Sequence, residues 1–419
     1  MLESAEDINH GVAPGVEFGT NRREWPPLTT AGSEQNPSRA SHPIFAPEHS
    51  ELRSLIHSFV TKEIAPFADE WEETTFPDSI FRRMGELGFL GLDKPVALGG
   101  QGGDYLCAVV LAEEMAYGAS NGLSMAVAVH TDMVLPPLLE FGSTEQVQEW
   151  AVPAIRGDSI LCLGITEPEA GSDIAGIKTN ARKQGADWII NGTKTYITNG
   201  IRADLILLVT KTEPELGQGG FTLFLVPLDT PGVSRSQRLH KLGMKSSDTA
   251  ILTFEDVRVP ESAVLGEIGR GFAQIMWQLQ GERLCNCAGM LAMANRALDL
   301  AMEYVKQRYV FGKPLSEMQV TRHRVARMAA ELAAARELTY RTVERFAKGE
   351  YPVLEISMAK YVAAQTANRV VDDCLQLFGG AGYMNEYPIE RLWRDLRLHR
   401  IGGGSDEVML EIVSKRLNW

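Results

Sequence analysis

Four short stretches gather residues whose types and spacing could do chemistry. Residues 400–408, RIGGGSDEV, place three glycines before a hydroxyl, which suits close approach of the backbone to a phosphate or a cofactor. No lysine follows the glycines, so this is not a nucleotide P-loop. Residues 165–173, ITEPEAGSD, form a loop interrupted by Pro168 and Gly171 that offers backbone N–H groups and the hydroxyls of Thr166 and Ser172 with little side-chain bulk. Residues 191–200, NGTKTYITNG, set Tyr196 and Thr198 two apart, which on a strand puts both on one face. An aromatic plane beside a hydroxyl can stack on, and hydrogen-bond to, a flat heteroaromatic ring; a hairpin with Thr–Tyr pairing accounts for the same residues. Residues 279–284, LQGERL, carry Glu282 beside Arg283 in a helical pattern, where an ion pair is the simplest role for such neighbours.

The elements that must position these residues differ in period along the chain. From Pro47 to about Gly157 the pattern is helical, with Leu52, Leu55, Ile56 and Phe59 at spacings of three and four and Phe81, Met84, Leu87 and Leu90 in a similar stripe. The glycine-rich stretch 96–104, VALGGQGGD, follows no strand and lacks G-x-G-x-x-G spacing, which argues against a dinucleotide fingerprint. Between about Ser159 and Pro260 short apolar runs at 188–190, 195–198, 205–210, 221–226 and 250–254 alternate with turn signals at Asn191-Gly192, Asn199-Gly200, residues 217–220 and Asp229–Gly232, which predicts an antiparallel β domain. Beyond Gly271 helices return. Met290, Ala294, Ala297, Leu298, Ala301 and Val305 trace one stripe, Val325, Met328, Leu332, Ala335 and Thr339 a second, and residues 353–378 a third, as in a four-helix-type bundle. The expected organisation is an extended or disordered arm over 1–44, in which Phe18 and Trp25 could dock, then a helical domain over 45–158, a β domain over 159–262 and a helical bundle over 263–419.

Bulk properties narrow the partners. With 419 residues, 44% hydrophobic and 23% charged, the composition is that of a globular protein. A formal net charge of −13 argues against a general nucleic-acid or anionic-membrane binder. The cysteines, Cys107, Cys162, Cys285, Cys287 and Cys374, are scattered and odd in number, giving neither a disulfide framework nor a zinc site. Buried thiols in a reducing, cytoplasmic setting are expected, with no metal. The N-terminus, acidic at Glu3, Glu6 and Asp7, reads as neither signal nor transit peptide, and no membrane span is expected.

ITEPEAGSD and NGTKTYITNG resemble the flavin-binding segments of the acyl-CoA dehydrogenase family. The resemblance continues in order through KLGMKSSDTAILTFEDVRVP at 241–260, GRGF at 269–272, RYVFGKPLSEMQ at 308–319 and CLQLFGGAGYMNEYPIERLWRD at 374–395, and so covers roughly residues 47–419. The family's order of a helical domain, a β domain and a four-helix bundle matches the periodicity. Among its branches the chain looks most like the long-chain and isovaleryl-CoA dehydrogenases. The resemblance implies an FAD-dependent oxidoreductase of fatty-acid metabolism that dehydrogenates an acyl-CoA thioester, a carboxylate removing the α-proton while the β-hydride goes to flavin N5.

Position by position, the resemblance implies that Leu163, Ile165, Thr166, Gly171, Ser172, Tyr196 and Thr198 meet the cofactor, with Thr198 near N5 and Ser172 also near substrate. Arg308, Phe311, Gln319, Gln376, Gly379 and Gly380 would hold FAD from a neighbouring subunit, which requires at least a dimer and suggests a tetramer. Ser405 and Glu407 would face the cofactor side. In the commonest branch the residue matching Gly403 is the catalytic glutamate; its absence shifts the base to Glu282, where the long-chain and isovaleryl branches carry it. Glycine at 403 keeps its N–H, which can serve the enolate oxygen. His130 matches a histidine near the acyl-pocket wall of those branches, although a hydrogen-bonded helix histidine fits equally; Arg283 would lie near substrate, and Ala126 and Ala128 would leave room for a long or branched chain. Asp248, Glu390 and Asp395 read as structural. An electron-transferring flavoprotein is the expected acceptor. Alternatives are a dehydrogenase of carrier-protein-bound acyl or aminoacyl groups, a flavin monooxygenase or oxidase, and a scaffold that has lost its base.

Overall fold

The chain order of helices, sheet and helices follows the change of period, and a computed structural model describes it for residues 42–118 and 120–419. The arm read over residues 1–44, with Phe18 and Trp25, lies almost wholly outside the described residues. Helix α1 (Pro47–Phe59) starts with Pro47 in its first turn and Glu48 beside it, where the missing N–H costs nothing and the carboxylate meets the positive helix end. Its buried face is narrower than the spacing suggests: Ile56 and Phe59 are buried, but Leu55 is 63% exposed. Helix α2 (Ser79–Glu86) and helix α3 (Tyr105–Tyr117) follow; the Asp104 side chain caps α3 by accepting from the N–H groups of Leu106 and Cys107. Helix α4 (Asn121–Ala128) continues through a π-turn at Val129–Val134 into Leu135–Phe141. The run Asn121–Phe141 is long and apolar enough to cross a membrane by length and composition alone, but 61% of its 18-residue apolar window is buried inside the fold, as in a core helix.

The middle region is one twisted sheet. Strands β1 (Leu161–Gly164), β2 (Asn180–Gln184), β3 (Asp187–Thr198), β4 (Leu205–Lys211), β5 (Phe221–Pro227), β6 (Val233–Arg235), β7 (Thr249–Pro260) and β8 (Val264–Leu265) run in the order β6-β7-β3-β2-β4-β5-β8. Pairing is mostly antiparallel, as expected, but β1 lies parallel to β4 with Leu161 opposite Leu205. Strand β4 is buried on both faces: Ile206 and Leu208 join the core shared with the N-terminal helices, and Leu205, Leu207 and Val209 a second core shared with Ile275 and Leu279. Asn191-Gly192 is not a turn. It is a bulge inside β3, where a Cβ on Gly192 would stand 2.4 Å from the Thr179 hydroxyl, and the turn falls at Gly185 instead.

The C-terminal part consists of α5 (Gly271–Gln307), α6 (Gln319–Ala347), α7 (Val353–Phe378), α8 (Pro388–Leu396) and α9 (Asp406–Arg416). Alanines 294, 297, 301, 359, 363 and 367 are buried between α5 and α7 and let the helices approach closely. Helix α3 packs on α5 as well, and Gly289 permits it: an added Cβ would meet the Ala112 carbonyl at 3.4 Å.

Buried charges join the three parts. Asp395 of α8 accepts from the Met244 N–H of the sheet region and from Asn121 of α4. Asp248 accepts from the Ile201 N–H and the Arg202 guanidinium, which also reaches Asp78 beside α2. Replacing Asp248 by Ala would leave Arg202 short of its buried partner, and a loss of about 3 kcal/mol is expected. The check is the sheet region's transition in urea unfolding; an unchanged midpoint would show the pair to be dispensable.

Candidate active site

Where α3, α4 and α5 converge, a cleft is walled by Leu111, Met115, Met125, Ala128 and Met293, with Glu282, Asp132 and His399 among its polar residues. Glu282 is 2% exposed. One turn on, the Asn286 amide donates to Oε1 at 3.1 Å, and Oε2 has no hydrogen-bond partner among the described residues. Burial raises the Glu282 pKa, opposed by the charge of Arg283, the Asn286 hydrogen bond and the charge of Lys360.

Arg283 does not pair with Glu282 as the bare sequence pattern suggests. Its Nε donates to the Gly403 carbonyl at 2.9 Å, and Lys360 Nζ donates to the carbonyl of Gly404. Two cations therefore grip the glycine loop from one side. Gly403 has φ +67°, and a Cβ there would stand 3.2 and 3.3 Å from the two Glu282 oxygens. Any side chain at 403 would crowd that carboxylate. The Gly403 N–H donates to no backbone carbonyl among the described residues.

A second group of residues gathers at the end of β1 and on β3. Glu167 accepts from the N–H groups of Lys178 and Thr179 and from Lys194 Nζ, and Lys194 also donates to the Ile165 carbonyl. Lys194 is fully buried, and burial pushes its ammonium down to about 8 against the pull of Glu167. The Thr195 N–H donates to the Thr166 carbonyl, so loop 165–173 is tied to β3 at three points. Leu163 and Ile165 pack on the core that contains Leu279 of α5, one turn before Glu282. Tyr196 is 71% exposed with φ +60°, and the β3–β7 pairing skips from Lys194 to Ile197 there. The regular strand assumed for Tyr196 and Thr198 is thus broken by a bulge, which turns the tyrosine ring outward. Ser172 is exposed, and a Cβ on Gly171 would meet nothing within 4 Å.

The third group lies elsewhere. Arg308 leads from α5 into a hairpin (Tyr309–Val310 with Lys313–Pro314), whose tip, Phe311, is 99% exposed with φ +51°. Tyr304 stacks on Phe378 with ring centroids 4.2 Å apart, which sets the hairpin beside exposed Gln376, Gly379 and Gly380; Gln319 opens α6 nearby. Arg308 is 26 residues beyond Glu282 along one continuous helix, so the two are about 39 Å apart. This group does not reach the Glu282 cleft of its own chain.

Family models match the chain in the same order: the acyl-CoA dehydrogenase N-terminal domain over residues 46–158, the middle domain over 162–257 and the C-terminal domain over 269–418. The chain belongs to the acyl-CoA dehydrogenase family. It is 36% identical over 377 residues to the long-chain specific acyl-CoA dehydrogenase, mitochondrial, of Rattus norvegicus, covering 89% of this chain and 87% of that one. It is 38% identical over 371 residues to the short-chain specific acyl-CoA dehydrogenase, mitochondrial, of Homo sapiens, covering 88% and 90%. The crystal structure of acyl-CoA dehydrogenase from Geobacillus kaustophilus superposes with a TM-score of 0.88 at 39% identity, over 90% of this chain and all of that one. The protein is an oxidoreductase of this family.

Other family-implied positions make structural contacts within the chain. His130 is not on the cleft wall: its Nδ1 accepts from the Leu161 N–H, its Nε2 meets the Ala154 carbonyl, and burial pushes the imidazole down to about 4. It fastens α4 to β1. Ser405 caps α9 by accepting from the Val408 N–H, and Glu407 lies exposed in that helix's first turn. Sequence reasoning missed Glu167, Lys194, Asn286 and Asp132. An inward-facing lysine between threonines on a strand was the available signal for Lys194. Asp132 lies in the apolar run that follows α4, and burial, with help from Asp93 and Glu282, pushes its pKa from 3.8 up to about 7.

A raised carboxyl pKa means that the folded state holds a proton the unfolded state has lost, so this contribution to stability falls as pH rises from about 4 to about 7. Asp132→Asn is therefore expected to raise the melting temperature fully above about pH 7 and progressively less on descent to about pH 4. Thermal melts across that range test it; a gain independent of pH would refute the assignment.

Proposed function

We propose that the protein is an FAD-dependent acyl-CoA dehydrogenase in which Glu282 takes the α-proton of a long-chain or branched acyl thioester. The observation that carries this reading is the buried Glu282 carboxylate at the apolar cleft, standing where a side chain at position 403 would otherwise be. Identities of 36% and 38% do not separate the long-chain from the short-chain relatives, so the branch rests on this pair of positions.

The chain's own residues fit FAD. The tethered loop 165–173 exposes backbone and hydroxyls beside an outward aromatic ring, and glycines 171, 379 and 380 face open space. Leu163, Ile165, Thr166, Gly171, Ser172, Tyr196 and Thr198 would hold the flavin side in one protomer. Arg308, Phe311, Gln319, Gln376, Gly379 and Gly380 would complete the site of a neighbouring protomer, and their distance from their own Glu282 supports a homo-oligomer, expected to be a tetramer. When bound, FAD supplies the two-electron acceptor for the hydrogen leaving the β-carbon.

Proton abstraction falls to Glu282. Its dry surroundings and raised pKa match a base working near neutral pH. The Gly403 N–H, oriented by Arg283 and Lys360 through the loop carbonyls, would bind the thioester oxygen as charge develops on it. Leu111, Met115, Met125 and Met293 would exclude water and seat the acyl chain. Electrons would leave to an electron-transferring flavoprotein. The carrier-protein alternative draws no support from a surface of net charge −13, which would repel an acidic carrier.

Anaerobic titration with acyl-CoAs tests the assignment. Glu282→Gln is expected to keep bound flavin but to slow its reduction by about 10²–10⁴-fold. Reduction at the wild-type rate would remove Glu282 from the role.

A further inference from the structure

Two polar side chains in the cleft have no part in proton abstraction. His399 sits in the turn Arg397–Arg400 that continues α8 and is 5% exposed, yet among the described residues neither Nδ1 nor Nε2 has a hydrogen-bond partner. Burial pushes the imidazole down to about 3, so the ring is neutral and carries one N–H donor and one lone-pair acceptor. Asn121 is 1% exposed; its Nδ2 donates to Asp395 at 3.2 Å, and its Oδ1 has no partner among the described residues.

The two belong to one corner. Asp395 lies four residues before His399 on the same helical run, so both project from one face. The same Asp395 carboxylate binds Asn121 and the N–H of Met244, and Asn121, Met244 and His399 all line the cleft. Most of the remaining wall is alanine, leucine, valine and methionine. Buried donors and acceptors are rarely left unmade, because each loses its water without replacement. A plain hydrocarbon chain would leave all three atoms unsatisfied.

We infer that the acyl group taken by this enzyme carries an uncharged hydroxyl or carboxamide substituent, held by His399 and Asn121 at the Met244 corner of the cleft. A hydroxyl or carboxamide both donates and accepts, as the neutral imidazole and the free amide oxygen require. This inference rests on the proposed dehydrogenase activity and names its substrate class; His399 and Asn121 determine specificity and take no part in the proton transfer.

The test is anaerobic flavin reduction and steady-state turnover of the holoenzyme with ω-hydroxyacyl-CoAs. Each is paired with the alkanoyl-CoA in which a methyl replaces the hydroxyl, over a series of chain lengths. At the length that reaches the corner, the hydroxylated member is expected to have the higher kcat/KM by about tenfold or more. His399→Phe is expected to bring that ratio below one, and His399→Gln, which keeps a donor and an acceptor, to hold it above one. Preference for the methyl member at every length, or a ratio unmoved in a folded His399→Phe protein, overturns the inference. Should that variant not fold, the wild-type pairs decide alone. Reduction by alkanoyl-CoAs only sinks this inference and spares the dehydrogenase reading; no reduction by either series sinks both.

Discussion

A carboxylate and a missing Cβ impose one constraint at two distant sequence positions. Helix α5 delivers Glu282 from one side and the loop before α9 brings Gly403 from the other, and the space between them admits a single side chain. With the carboxylate coming from the helix, the loop must be glycine, and its φ of +67° is a conformation glycine adopts without strain. Arg283 and Lys360 are then free to hold the loop carbonyls. The dryness that raises the Glu282 pKa comes from the same close packing of α3, α4 and α5 that forms the cleft.

The sheet is subordinate to that arrangement. Strand β4, apolar on both faces, divides two cores: Ile56, Leu123 and Val127 lie on one side, and Leu135, Leu138 and the start of α5 on the other. Loop 165–173 leaves the end of β1 above the core that holds Leu279, so its hydroxyls and Glu282 are referred to one rigid body. The buried Lys194–Glu167 pair keeps the loop there. Burying such a pair is expensive in desolvation, and what it secures is a fixed position for a segment otherwise rich in Pro, Gly and Ser.

What the sequence revealed depended on how local the determinant was. Helix α7 covers 353–378, the span its periodicity indicates, because an apolar stripe declares itself within a few turns. The stripe 290–305 is buried as read. The reading of Glu282 as the base followed from Gly403 only through resemblance; the close approach that supports it joins residues 121 positions apart in sequence. Asn191-Gly192 looked like a turn and is a bulge, because Thr179 on the neighbouring strand needs the room. His130 read equally as a cleft residue or a hydrogen-bonded helix histidine; it is the second, and the sequence could not decide because its partners, Ala154 and Leu161, come from later in the chain. The polar corner at His399 was invisible for the same reason: an orphaned ring nitrogen is defined by what fails to surround it.

The straightness of α5 has a genetic corollary. Glu282 and the Arg308 hairpin lie on one helix but serve different active sites in the proposed assembly, so each site is a joint product of two polypeptides. In that assembly a chain defective at Glu282 and a chain defective at Arg308 would each be inactive alone. Co-assembled, they create some sites that draw an intact base from one chain and an intact hairpin from the other. Two null alleles of this protein would then complement each other within a single oligomer.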